Sequence, residues 1–208
     1  MTAPKLARRV ALFADVHGSQ MTLARALAAC READVEQIAL LGDLFDRVEQ
    51  ADACARALAG WPIIGVWGNH EREIVLDAAA HGALDAATVR LLTSLGEEVL
   101  LEPGRQGALP EAFLTHEAAY WGSGDSVARL FGRATATEQP TRAIRARITF
   151  AGHTHYRAAR DERGPLDLGR GSLTLDPTRR YLINPGALAV GQFAVWDRDA
   201  RVVRFREV

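Results

Sequence analysis

Four short apolar runs in this chain end alike, each giving way to glycine in company with histidine, aspartate or asparagine. Residues 10–14 run into Asp15-Val16-His17-Gly18, and residues 38–41 stop at Gly42-Asp43-Leu44-Phe45-Asp46-Arg47. Residues 62–67 close on Gly68-Asn69-His70-Glu71, and residues 148–151 lead into Gly152-His153-Thr154-His155. A short apolar run closed by glycine reads as a buried strand entering a loop. Open α/β sheets collect their chemistry at that carboxyl-end rim. The recurrence therefore asks for a fold that brings several strand ends to one place.

Between these strands the apolar spacing turns helical. Ser19 is placed to cap a helix reaching Cys30, and a second helix spans 49–59, so strand and helix alternate through the first seventy residues. That alternation predicts right-handed βαβ units and a largely parallel sheet. Residues 71–96 read as helical, 98–101 and 112–115 as strands, and the second of these delivers His116. After residue 151, short strands around 172–175, 180–183, 192–196 and 202–205 alternate with turns such as Asn184-Pro185-Gly186. They are expected to pair as antiparallel hairpins in a second sheet.

At 208 residues the chain is long enough for one sizeable core. It is read as a single domain over 1–208, with a lid or crossover region at 71–147 whose polar, Gly- and Thr-containing part covers 122–147. The net charge of -1 gives no global reason to expect a nucleic acid or a membrane surface as partner. Arg129, Arg133, Arg142, Arg145, Arg147, Arg157 and Arg160 do face only Glu138 within their interval. Solvated helix faces explain this as well as an anion-binding surface does. Cys30 and Cys54 fall on apolar helical stripes and read as small core residues. The apolar run after Arg9 is too short for a signal peptide or a membrane span, so the expected compartment is the cytoplasm.

Asp15 and His17 stand two apart at a strand end, as do His153 and His155, so each pair can fork around one ion. Carboxylate, imidazole and amide together suit a borderline divalent cation such as Mn²⁺, Fe²⁺ or Zn²⁺. With Asp43, Asn69 and His116 added, the donors exceed the four of a tetrahedral zinc and match two cations sharing a carboxylate. Of the six histidines, only His81 lies away from a strand end.

Taken in order, Asp15-x-His17-Gly18, Gly42-Asp43-x-x-Asp46-Arg47, Gly68-Asn69-His70-Glu71, His116, Gly152-His153-x-His155 and Asn184-Pro185-Gly186 resemble the motifs of the calcineurin-like metallophosphoesterases. The resemblance implies an α/β fold, a four-layer α/β/β/α sandwich of two mixed β-sheets flanked by helices. It implies two divalent metal ions, manganese first, with Asp15, His17 and His155 on one, Asn69, His116 and His153 on the other, and Asp43 between them. It further implies attack by a metal-bridging hydroxide, with His70 as proton donor, Asp46 orienting its ring and Arg47 binding a phosphate oxygen. Glu71, Arg72 and Glu73 read as the start of a solvated helix.

The expected activity is hydrolysis of a small phosphate ester, phosphodiester or nucleotide-type ahead of simple monoesters. A protein Ser/Thr phosphatase or phosphomonoesterase is the alternative, and a non-catalytic scaffold ranks below both because His70 and every ligand-type residue are present. Tyr120 and Trp121 follow His116 and are placed to stack on a base or pack a lid. Ala187 stands where relatives often carry a small hydroxylated residue.

Overall fold

The computed structural model describes residues 6–76, 82–101, 109–117 and 146–208. The first three strands are β1 (Arg9–Phe13), β2 (Gln37–Leu41) and β3 (Ile63–Val66), separated by helices α1 (Gln20–Glu32) and α2 (Val48–Leu58). Helices α3 (Asn69–Leu76) and α4 (Ala86–Ser94) follow, then β4 (Glu98–Leu101), β5 (Ala112–Thr115) and β6 (Ile148–Phe150). The remaining strands are β7 (Ala158–Asp161), β8 (Gly164–Pro165), β9 (Ser172–Thr174), β10 (Tyr181–Asn184), β11 (Gln192–Asp197) and β12 (Val202–Glu207).

These strands form two six-stranded mixed sheets, ordered β3-β2-β1-β11-β12-β9 and β4-β5-β6-β10-β7-β8. Strands β1, β2 and β3 run parallel, and β11 joins β1 antiparallel, pairing Val10 with Trp196 and Leu12 with Ala194. In the second sheet β5, β6 and β10 run parallel. The C-terminal strands therefore do not build the second sheet among themselves. Strands β9, β11 and β12 complete the first sheet, and β10 alone enters the middle of the second.

Side chains alternate across each strand, and that alternation divides the core. Val10, Leu12, Leu41, Ile64 and Val66 face inward and meet Leu114, Phe150, Ile183 and Tyr181 of the other sheet. Ala11, Phe13, Ile38 and Leu40 face outward and meet Leu23, Leu27 and Cys30 of α1, Cys54 and Leu58 of α2 and Leu92 of α4. Both faces of β1 and β2 are thus covered, which is why their sequences run apolar without interruption. Side chains as large as Phe13, Phe150 and Trp196, each at most 2% exposed, contribute about 1.5–3 kcal/mol apiece by leaving water. Cys30 and Cys54 are buried free thiols inside this packing.

Sheet order brings the strand ends together. Parallel neighbours β1, β2 and β3 end side by side, as do β5 and β6 in the facing sheet. Of the span 71–147 read as lid or crossover, residues 77–81, 102–108 and 118–145 lie outside the described residues. The rest supplies α3, α4, β4 and β5. Among the described residues no helix is long and apolar enough to cross a membrane.

Candidate metal centre

Backbone hydrogen bonds stitch the rim loops to one another before any side chain is considered. The loop after β1 lies along the loop after β2, with Asp15 N donating to Gly42 O at 3.0 Å, His17 N to Asp43 O at 3.0 Å and Gly18 N to Leu44 O at 3.0 Å. In the other sheet Gly152 N donates to His116 O at 3.1 Å. Asp15 joins the two halves, because its Oδ1 accepts the His153 N–H at 3.0 Å. Asn184 steadies the same loop by donating from Nδ2 to Gly152 O at 2.8 Å and to Thr154 Oγ1 at 3.0 Å. The turn Asn184-Pro185-Gly186 is therefore also a brace for His153 and His155.

These loops are bent in an unusual way. Of the seven non-glycine residues with positive φ among the described residues, five are Asp15, His17, Asp43, His153 and His155, at 50° to 68°. A side chain in the left-handed region costs about 1–3 kcal/mol and persists only where its surroundings hold it there. Each turn aims a carboxylate or an imidazole at the gap between the sheets. Gly68 is fixed by the same crowding, since a Cβ there would stand 1.9 Å from Asp43 Oδ1 and 2.3 Å from Asp43 N.

The side chains gather in two groups that share Asp43. His17 Nε2 lies 3.0 Å from His155 Nε2, and His155 Nε2 lies 3.7 Å from Asp15 Oδ1. His116 Nε2 lies 3.3 Å from Asp43 Oδ2, 3.0 Å from Asn69 Oδ1 and 3.2 Å from His153 Nδ1. His17 and His70 each place Nε2 4.0 Å from Asp43 Oδ2. Asp15, Asp43 and His116 form a buried floor, whereas Asn69, His153 and His155 are exposed at the rim. The centre is sealed beneath and open above.

The hydrogen bonds of His116 and His17 turn their remaining ring nitrogens toward the centre as acceptors. His116 donates from Nδ1 to Leu41 O at 2.8 Å, so its neutral ring turns the Nε2 lone pair toward Asp43 and Asn69. With the Nδ1 proton of His17 directed at Asp46, 2.5 Å away, its Nε2 lone pair meets His155. Asp15 Oδ2 is buried with no hydrogen-bond partner among the described residues. Such lone pairs at close range require a cation or protons between them. Burial raises the pKa of Asp15 and outweighs the opposing pull of His116 and His155. Burial likewise acts against the charged forms of Asp43 and His116. Their mutual attraction wins, so the Asp43 pKa is lowered and that of His116 is raised. A divalent cation satisfies all of these groups at once. Asp15, His17 and His155 are one set able to hold an ion, and Asp43, His116 and His153 are another.

The remaining expected residues lie close by. His70 is on the first turn of α3, with its N–H donating to Asp43 Oδ1 at 3.2 Å and its Nδ1 3.6 Å from Asp46 Oδ1. Asp46 is nearer to His17, whose Nδ1 is 2.5 Å away, than to His70. Arg47 is exposed at the start of α2, and no ion pair among the described residues engages it. A cleft of about 370 Å³ opens beside Asn69 and His116 and is lined by Trp67, Arg72, Glu97, Glu98 and Glu117.

Two expectations change. Glu71 does not begin a solvated helix: it is 1% exposed, and its carboxylate accepts N–H bonds from Gly68 at 2.7 Å, Asp43 at 2.9 Å and Phe45 at 3.1 Å. Only its place beside Asn69 and His70 signalled this. Burial raises the Glu71 pKa despite those donors. The arginine-rich interval also loses members as a free surface. Arg157 bonds Glu207 Oε1 at 2.9 Å and Arg206 O at 2.6 Å, and Arg160 is buried on β7. Arg129, Arg133, Arg142, Arg145, Tyr120, Trp121 and His81 lie outside the described residues. Ala187 is buried beside the centre, where Leu188 N donates to Ala14 O and Ala189 N to Asp15 O.

Comparison with known proteins follows the same lines. The family profile described as the calcineurin-like phosphoesterase superfamily domain matches residues 9–196. A metallophosphoesterase from Sphaerobacter thermophilus superposes with a TM-score of 0.70 at 23% identity, covering 98% of this chain and 89% of that one. An archaeal phosphodiesterase superposes with a TM-score of 0.58 at 16% identity, covering 96% and 99%. A candidate diadenosine tetraphosphatase does so at 0.50 and 15% identity, covering 98% and 95%. At these identities the likeness is one of fold. No curated protein sequence matches the chain.

Proposed function

The chain belongs to the calcineurin-like phosphoesterase superfamily, and from that premise we propose that this metal-dependent phosphoesterase hydrolyses phosphodiester or nucleotide-type esters at the rim between its two sheets. Asp15, His17 and His155 would hold one divalent cation, Asn69, His116 and His153 a second, and Asp43 would serve both, manganese being the ion that best suits the mixture of carboxylate, amide and imidazole. When bound, such cations supply a water of lowered pKa and neutralise charge on the phosphoryl oxygens. The observation that carries the reading is the convergence of three ligand-type side chains: His17 Nε2 lies 3.0 Å from His155 Nε2, beside a buried Asp15 Oδ2 that has no hydrogen-bond partner among the described residues.

The chain's own groups divide the remaining work. Arg47, exposed and without an ion pair among the described residues, grips phosphate oxygens through its planar fork of donors. The ring of His70 sits over the centre, with Nδ1 toward Asp46 and Nε2 toward Asp43, so Nε2 is the atom that hands a proton to the departing oxygen. General acid catalysis of this kind is worth about 10²–10⁴-fold. Gly68 and Glu71 keep the loop that carries Asn69 and His70 pressed against Asp43.

The cleft beside Asn69 and His116 supports a substrate with few charges beyond its reacting phosphate. Its walls carry Glu97, Glu98 and Glu117, and Arg72, the one arginine or lysine among the described lining residues, is paired with Glu97 at 3.2 Å. A polyphosphate chain or a phosphopeptide rich in acidic residues meets repulsion there. The test compares purified protein loaded with Mn²⁺ on bis-p-nitrophenyl phosphate, p-nitrophenyl phosphate, diadenosine tetraphosphate and a phosphoserine peptide. The diester is expected to give the highest kcat/KM. A preference for the peptide would move the assignment to a protein phosphatase, and a preference for p-nitrophenyl phosphate to a monoesterase.

A further inference from the structure

Asp46 stands between two imidazoles, and the distances rank them. Its Oδ1 is 2.5 Å from His17 Nδ1, within hydrogen-bond reach, and 3.6 Å from His70 Nδ1, outside it. The other nitrogen of His17, Nε2, points into the centre, 3.0 Å from His155 Nε2 and 4.0 Å from Asp43 Oδ2. A carboxylate accepting the N–H of one ring nitrogen fixes the tautomer and the ring plane, so that the other nitrogen offers its lone pair in one direction.

Both partners are anchored. Gln50 Oε1 accepts the N–H groups of Asp46 at 3.0 Å and Arg47 at 3.1 Å, fixing the residue that carries the carboxylate at the start of α2. The turn that follows His17 packs on the same side chain, because a Cβ at Gly18, with φ +70°, would stand 2.4 Å from Gln50 Cδ. His17 itself holds φ 50°, a conformation it keeps only while its surroundings constrain it. Gln50 therefore sets the distance between Asp46 and His17 from both sides.

We propose that Asp46 is a positioning residue for His17, locking its Nδ1–H and aiming Nε2 at the Asp15/His155 side of the centre. The inference rests on the metal-centre reading above and goes beyond the role implied by the family resemblance, in which Asp46 serves the ring of His70. The two roles separate in metal binding. A partner of His70 alone affects turnover and leaves the cations in place, whereas a partner of His17 governs how tightly one cation is held.

The experiment is calorimetric titration of the full-length protein, stripped with chelator, with MnCl₂, comparing wild type, Asp46→Asn and His70→Ala. Asp46 is exposed and its replacement by Asn keeps the shape, so the fold is retained. Wild type is expected to show two binding events. Asp46→Asn should weaken one of them about ten- to a hundredfold and leave the other unchanged, while His70→Ala alters neither. Two wild-type binding events in Asp46→Asn would overturn the role at His17 and leave the metal centre standing. No uptake by wild type would overturn the centre itself, and the inference with it.

Discussion

The Glu71 carboxyl group accepts the backbone N–H of Asp43 at 2.9 Å and that of Gly68 at 2.7 Å, so a single buried side chain fastens the loop after β2 to the loop after β3. Those loops carry Asp43 on one side and Asn69 with His70 on the other. Replacing Glu71 by Ala strands three buried N–H groups, each costing about 1–3 kcal/mol when left without a partner. Urea denaturation of Glu71→Ala should therefore report a loss of about 3 kcal/mol or more. A loss below about 1 kcal/mol would mean that the clamp carries little of the rim's stability.

Gly68 is the second fixed point of that junction. The Cβ of Gly68→Ala would enter the space of Asp43 Oδ1, at 1.9 Å, and of the Asp43 amide, so the carboxylate has to leave the centre. The substitution lies on the rim and spares both cores. Gly68→Ala should keep the circular dichroism spectrum of the wild type while losing manganese uptake and turnover together. Full metal content in the variant would contradict the tight approach of these two loops.

His70 tests the proposed division between chemistry and metal holding. In its proposed role of proton donor the ring lies outside the two ligand sets that contain His155 and His116, so His70→Ala should lose about 10²–10⁴-fold in kcat. The loss should be smaller on substrates whose leaving group is a good one, such as p-nitrophenolate, than on alkyl esters. An equal loss on both would place the proton donor elsewhere.

The thiols give a prediction remote from the centre. Burial pushes Cys30 up to about 12 and Cys54 up to about 11, the latter with help from Glu71, whereas unfolded thiols titrate near about 8.5. The unfolded chain thus releases its thiol protons first, and their contribution to stability, complete below about pH 8.5, declines as pH rises toward the folded values. Denaturation midpoints should fall between pH 9 and 11, and 5,5′-dithiobis(2-nitrobenzoate) should label the two cysteines only after unfolding. Rapid labelling of native protein would contradict the packing of α1 and α2.

Much of this was legible from residue order. Residues 10–14, 38–41 and 62–67 announced β1, β2 and β3 because strands covered on both faces need apolar side chains at every position. Other strands gave no such signal: β7 carries Arg160 and Asp161, whose burial depends on neighbours far along the chain, Asp161 being paired with Arg179. The hairpin of β11 and β12 was evident from its turn at Asp197-Arg198-Asp199-Ala200. Its attachment to β1 was not, because alternation within a strand says nothing about which strand lies alongside. The motifs brought the ligand-type residues forward by spacing alone. Glu71 remained hidden because a carboxylate two residues into a helix looks solvated until the three amides that enclose it are seen.

Cations lying between the two sheets are the central requirement of the proposed centre, and anomalous diffraction at the manganese edge from crystals of the Mn²⁺-soaked protein tests it most directly. Two peaks per chain are predicted, one within coordination distance of His17 Nε2, His155 Nε2 and Asp15, the other of His116 Nε2, Asn69 and His153, with Asp43 between them. In Asp43→Asn both should lose occupancy. A map without a peak at either place, from protein whose His17 and His155 stand as described, would contradict it.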